Sequence, residues 1–372
     1  MFKDKKKIII LALLVVIVAV IVIIVISSLG NKKVGYDELE TKLVGAAKIY
    51  YNTNSKLLPK EDGDETSVTI KKLVDREYIK PIENLTENGE KCDGKVVVKN
   101  VDGKYSYIPY LHCGKYYKTT ELYDKILDDN PTVTENVGLY VMDDNYTFRG
   151  EVDNNYLKVR DNLWKIMGLN SDETIKIIYA GKAERSVYDD RYNTEKESNY
   201  GKNDYKISRI YENLNTFLNN EDIFSTDFKA QLVKMNACIG SRDVAEENNS
   251  MQVECSSTLD NQYATLITVS EYLNASLDKG CKISKNNECQ NYNYLSRFED
   301  DSNWWTITPD STNTYKAYQI SNYGVISLNS CYSLGGIRPI VYLSNATLYR
   351  GGDGTADDPY IIFSEDKLVE EN

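Results

Sequence analysis

Residues 8–26, IIILALLVVIVAVIVIIVI, contain no polar side-chain atom, and no other stretch limits the folding choices of this chain so tightly. Coiled as a helix at 1.5 Å per residue, the run spans roughly 30 Å, the thickness of a bilayer's hydrocarbon core. A helix that is apolar on every side has no polar face to turn toward water, so lipid is the solvent that suits it. Lys3, Lys5, Lys6 and Lys7 precede the run and outweigh Asp4, whereas only Lys32 and Lys33 follow closely. The positive-inside bias then places residues 1–7 in the cytoplasm and the chain after the span outside the cell. Small residues at Ser28-Leu29-Gly30 would also suit a signal peptidase. Signal-peptide cores run only about 7–15 residues, so residues 8–29 are read as an uncleaved anchor; either processing exports the same ectodomain.

About 340 residues remain after the span, enough for two domains with separate cores. Thirty Tyr, seven Phe and three Trp supply ample apolar surface to bury. The formal net charge is −12, with basic residues scattered among carboxylates, which argues against nucleic acid as a partner. Seven cysteines in an exported chain point to disulfides. With one histidine and no CxxC pair, no metal site is expected, and no cofactor. Pairing sequence neighbours gives Cys92 with Cys113, Cys238 with Cys255, and Cys281 with Cys289, leaving Cys331 over.

Residues 36–54 read as an amphipathic helix with Leu39, Leu43, Ala46 and Tyr50 on one face. Ser67 is read as the cap of a short helix carrying Ile70, Leu73 and Val74. Two β-rich runs then flank Asp102-Gly103, a dipeptide favoured in tight hairpins. Cys92 and Cys113 lie at similar distances from that turn, so antiparallel pairing brings them face to face. Residues 119–136 read as a linker or short helix. Beyond them come strands at 138–142 and 146–152, a hairpin around Asn170-Ser171-Asp172-Glu173, helices over 206–218 and 227–236, and a further helix starting after Thr268. Short strand runs in YKAYQI, GVISL and RPIVYL close the chain. The expected fold class is α+β: a single transmembrane helix, a helix-plus-sheet domain over 34–118, a larger α+β domain over 137–363, and an acidic tail at 364–372.

Residues 8–118, an apolar helix followed by a second helix and a disulfide-closed sheet, resemble the layout of type IV pilin-like proteins. The acid that such proteins carry inside the apolar helix is absent here. Residues 137–363 carry LITVSEYLNA, NWWTITP, GGIRPIVYLS and GGDGTADDPYII in order, after YTFRGEV and LWKIMGLN. This series resembles an uncharacterised exported domain of Gram-positive gut bacteria, similar in layout to the C-type-lectin fold shared with formylglycine-generating enzymes. The resemblance implies a regular scaffold that displays an irregular, ligand-binding surface.

Trp304 and Trp305 are adjacent, so in a strand they point to opposite faces; either one faces a core and the other the surface, or the pair is purely structural, as the usual burial of Trp favours. With Asp310, Tyr315, Tyr318, Tyr323 and Tyr332 they form the candidate ligand-binding set, flat aromatics interleaved with Asn and Ser as in paratopes. The blander reading is that Tyr is abundant throughout. Arg338 reads as a structural donor to nearby carbonyls, and Asp353, Asp357 and Asp358 as a turn lacking EF-hand spacing. His112 is the only histidine, and no GxSxG, HExxH or phosphate-cradling loop occurs, so no catalytic residue is assigned. The sequence thus reads as a membrane-anchored bacterial surface protein that binds an extracellular ligand, glycan or protein. Two alternatives stay open: an envelope enzyme using Cys331, related to formylglycine-generating enzymes, and a structural pilus-like component.

Overall fold

A computed structural model describes residues 33–101, 103–283, 286–298 and 302–363. The chain divides into two units, residues 1–119 and 120–372. In the first, helix α1 (Tyr36–Thr53) buries Leu39, Leu43, Ala46 and Tyr50, and also Val44, Ala47 and Tyr51, so its apolar face is wider than the stripe expected. Strand β1 (Glu65–Thr69) leads directly into α2 (Ile70–Asp75). Thr69 rather than Ser67 caps that helix, because Ser67 is held in the strand opposite Val97. Strands β2 (Cys92–Val101) and β3 (Lys104–Cys113) form the hairpin read from the sequence, with Gly103 in the left-handed region at φ 79°. Cys92 stands opposite Cys113 and is bonded to it.

The second unit begins with α3 (Leu122–Asp129) where a linker or short helix was expected, and Leu122 and Ile126 are fully buried in its core. Strands β4 (Gly138–Met142), β5 (Asn145–Arg149), β6 (Tyr156–Val159), β7 (Asn162–Leu169), β8 (Ile175–Tyr179) and β9 (Glu184–Val187) follow. Helix α4 (Arg209–Phe217) turns Ile210, Leu214 and Phe217 inward. The ten-residue helix read over 227–236 is corrected to α5 (Thr226–Ala230) and two short strands, β10 (Leu232–Val233) and β11 (Met235–Cys238). Ladder bonds to other strands, absent from any local periodicity, claim the backbone after Gln231. Strand β12 (Thr258–Gln262), helix α6 (Val269–Ala275) and strands β13 (Trp304–Pro309), β14 (Lys316–Ile320), β15 (Ile326–Ser330), β16 (Leu334–Ile337), β17 (Ile340–Leu343), β18 (Tyr349–Gly351) and β19 (Tyr360–Ile362) complete the chain.

Nine of these strands form one sheet, with the path β10-β17-β8-β7-β6-β19-β18 and the β4-β5 hairpin joined through β7. Five more form a second sheet, β15-β14-β13-β16-β9. Six of the eight residues of β7 are buried, the pattern of a strand covered on both faces. The α+β class expected above is therefore corrected: strand at 34% outweighs helix at 22%, because much of the irregular-looking sequence is claimed by long-range pairing. Among the described residues no helix is long and apolar enough to cross a membrane, and the span expected at 8–26 lies outside those residues.

Candidate ligand-binding cleft

The antiparallel register aligns four residues across the large sheet: Tyr342 of β17 faces Lys176 of β8, Lys176 faces Gly168 of β7, and Gly168 faces Thr147 of β5. Directly opposed residues share a sheet face, so this row, roughly 14 Å from end to end at the usual strand spacing, is one continuous floor. A bulge at Met167 sets the row, since Ile166 pairs with Ile177 while Gly168 pairs with Lys176. Glycine is required at 168 because a Cβ there would lie 2.2 Å from the Tyr146 carbonyl oxygen. Above the floor is a cleft of about 570 Å³, walled by Glu271 and Asn274 of α6 and by the loop residues Asn248 to Met251.

Local sequence fixes the charged residue of the wall. Thr268 and Glu271 make a capping box at the start of α6. The Glu271 amide donates to Thr268 Oγ1, and Glu271 Oε2 accepts from the Thr268 amide at 2.8 Å. The other carboxylate oxygen is thereby turned to the floor, where it contacts Lys176 Nζ as an ion pair. The two side chains are only 17% and 12% exposed. Burial pushes the Lys176 ammonium down, to about 7, while the carboxylate beside it favours the charged form. The ammonium also lies 5.5 Å from the centre of the Tyr342 ring.

A buried network holds the wall loop in place. Cys238 and Cys255 are joined across its base. Arg242 and Glu254, both fully buried, pair at 2.9 Å. Arg242 also donates to the carbonyls of Glu246 and Asn248 and to Ser270 Oγ, tying the loop to α6. Within the loop, Asn249 Oδ1 is buried and accepts no hydrogen bond among the described residues. Nearby in β7, Lys165 donates to the carbonyl oxygens of Tyr294, which lines the cleft, and Arg297. Burial, reinforced by Arg338, pushes Lys165 down to about 8.

None of the aromatic and acidic residues selected from the sequence lines this cleft. Trp304 and Trp305 are both buried, as the purely structural reading of the pair has it, because both faces of β13 are covered. Trp304 packs edge-on against Tyr272 and Phe298, and Trp305 donates its indole N–H to the Ser186 carbonyl while its ring covers Gly335. Asp310 is consumed by a local turn, accepting from the Thr312 amide and hydroxyl and from Asn313. Tyr318 is buried and donates to the Arg242 carbonyl. Tyr315 lies against Tyr200 and under Lys196, and Tyr332 is exposed nearby in a depression with Tyr200. Tyr323 is exposed at the opposite end of the β14-β15 hairpin, so these three tyrosines share no single surface. Arg338 does donate to carbonyls, those of Tyr179 and Gly181, and Asp353 accepts from Thr355 in a turn.

Cys238–Cys255 and Cys281–Cys289 are disulfides like Cys92–Cys113, and Cys331 is free and buried. Burial and the nearby Asp189 push its thiol well up, so it keeps its proton at neutral pH. His112 is exposed in the first unit, 3.7 Å from Asp93. The sequence signal for the cleft that was readable is the Thr268-x-x-Glu271 box; Lys176, set between isoleucines in a strand, reads as an ordinary outward residue. Residues 172–345, a span that includes Lys176, Asn249, Glu271 and Tyr342, match a family described as a domain of unknown function (DUF6273). No curated protein and no solved structure matches the chain.

Proposed function

We propose that this protein is a membrane-anchored bacterial surface protein that binds an extracellular ligand without converting it, and that the ligand sits in the cleft over the large sheet. The observation that carries the reading is the Lys176–Glu271 pair, held largely out of water in the floor and wall of an otherwise accessible cleft. Placing a charged pair there costs desolvation, and polar groups so placed commonly serve recognition. Three disulfides suit an oxidising exterior, and the apolar run at 8–26 supports anchoring. A protonated, buried Cys331 speaks against thiol chemistry.

Intact cells treated with a membrane-impermeant amine-reactive biotin reagent test the location. Labelling of the full chain without lysis is expected, and labelling only after lysis would overturn the surface assignment. Thermal shifts of the detergent-purified full chain with sets of oligosaccharides and short peptides test the site. A ligand that stabilises the parent chain should fail to stabilise Thr147→Trp, whose ring would fill the floor. Equal stabilisation of both would remove the cleft as the site.

A further inference from the structure

We infer that the cleft takes an uncharged, polyhydroxylated ligand, a neutral oligosaccharide, with hydroxyl groups placed against the Asn249 carboxamide and the Lys176 ammonium. The inference rests on the cleft being the ligand site and goes on to name what fills it. Its first ground is the unspent hydrogen-bonding capacity of the walls. Asn249 Oδ1 is buried without a donor among the described residues. Lys176 carries three N–H donors, and among those residues its one acceptor is Glu271. Asn249 lines the cleft, and its Oδ1 gains a donor when the side chain turns toward a ligand, which must also bring an acceptor to Lys176. A hydroxyl offers both on one atom, and it suits either orientation of the Asn249 amide.

Charge narrows the class further. The ionisable acids and bases lining the cleft are Asp143, Lys176 and Glu271, which leaves a net charge of −1 on a chain already at −12. An anionic ligand meets repulsion there. A cationic ligand finds the Glu271 carboxylate already occupied by Lys176 and by the Thr268 cap, and Asp143 exposed to water, where pairing contributes little. Uncharged polar ligands meet neither obstacle. Tyr146, Tyr294 and Tyr342 offer flat faces, and Met142, Met167 and Met251, three of the five methionines in the chain, offer adaptable ones, for the C–H faces of sugar rings.

Peptides, the competing neutral polar class, commonly dock by adding a strand to an open sheet edge. The floor has no such edge, because β5, β7, β8 and β17 each pair with a neighbour on both sides. The volume, about 570 Å³, lies within the roughly 300–1,000 Å³ usual for small-ligand sites.

The test titrates the detergent-purified full chain, by calorimetry, with neutral tri- and tetrasaccharides of glucose, mannose, galactose and N-acetylglucosamine. Sialylated and sulfated counterparts and a set of tetrapeptides run in parallel. At least one neutral saccharide should bind, with affinity lowered tenfold or more in Asn249→Leu and in Lys176→Met and unchanged in Tyr332→Ala. Because Lys176→Met leaves Glu271 unpaired and can unfold the wall, Asn249→Leu, with unaltered tryptophan fluorescence, is the deciding variant. Binding of acidic saccharides alone, neutral binding indifferent to Asn249→Leu, or no binding by any probe overturns the inference. Peptide binding abolished by Thr147→Trp would overturn the sugar assignment while leaving the cleft as the site, whereas saccharide binding indifferent to Thr147→Trp would remove the cleft itself.

Discussion

Two concave surfaces of the second unit are of similar size, the cleft at about 570 Å³ and the tyrosine-bearing depression around Tyr200 and Tyr332 at about 630 Å³. Their contents differ. In the depression, Tyr200 and Tyr332 are largely exposed, and Asp190 makes an exposed ion pair with Arg209 at 2.8 Å. Water already satisfies such groups, so pairing them contributes little. In the cleft, a nearly buried ion pair joins floor to wall, and the wall loop holds a buried carboxamide oxygen with no partner among the described residues. Aromatic abundance thus marks a surface, while desolvated polar groups held by the fold mark the candidate site.

Four measurements can break or sharpen that contrast. All three tryptophans lie in the second unit and are buried, so their fluorescence during urea unfolding reports on that unit. The largest effect is expected for Arg242→Leu, which strands the fully buried Glu254: a loss of about 3–5 kcal/mol, against less than about 0.5 kcal/mol for Asp190→Asn in the depression. Equal losses would erase the distinction. Replacing Cys238 and Cys255 together by Ser opens a loop whose ends are 17 residues apart and should cost about 3 kcal/mol, with loss of ligand binding at the cleft. Binding that survives would show that the wall loop is dispensable.

The third effect depends on pH. Lys165 has a folded pKa of about 8, below that of the unfolded chain, so between about pH 8 and 9.5 the unfolded state holds more protons. Stability should therefore rise by about 2 kcal/mol from this group as pH is raised through that window, and Lys165→Met should make the rise shallower, leaving the part that Lys176, also pushed down by burial, contributes. Lys196, over the Tyr315 ring, is shifted upward by its bond to Tyr315, so any contribution it makes falls away only at higher pH. The smallest effect is Thr268→Ala, a lost cap of about 1 kcal/mol, which should also weaken cleft binding by freeing Glu271 to turn away from Lys176. Unaltered binding would separate the cap from the site.

Much of the fold was legible where the determinants are local. The DG hairpin, the extent of α1, the presence of α4 within 206–218, the strands on either side of residues 170–173 and the start of α6 after Thr268 all follow from short-range periodicity or turn chemistry. The helix over 227–236 misled because its continuation pairs with β17, more than a hundred residues away. The two readings of Trp304 and Trp305 stayed open because strand alternation tells which residues oppose each other and cannot tell whether both faces are covered. For the cleft, the sequence reading reached only the start of α6 after Thr268, and the Thr268-x-x-Glu271 box there went unread.

By itself the sequence determined the elements and closures whose partners lie close along the chain: the DG hairpin and the Cys92–Cys113 bridge that its register closes, while the other two disulfides were only the pairing of nearest neighbours. It also determined that residues 8–26 form a run suited to lipid. Tertiary structure alone decided the site, because Thr147, Gly168, Lys176 and Tyr342 meet through strand register. A shift of one residue in any of those ladders would turn its side chain to the other face of the sheet, and nothing local to these four residues records that they belong together.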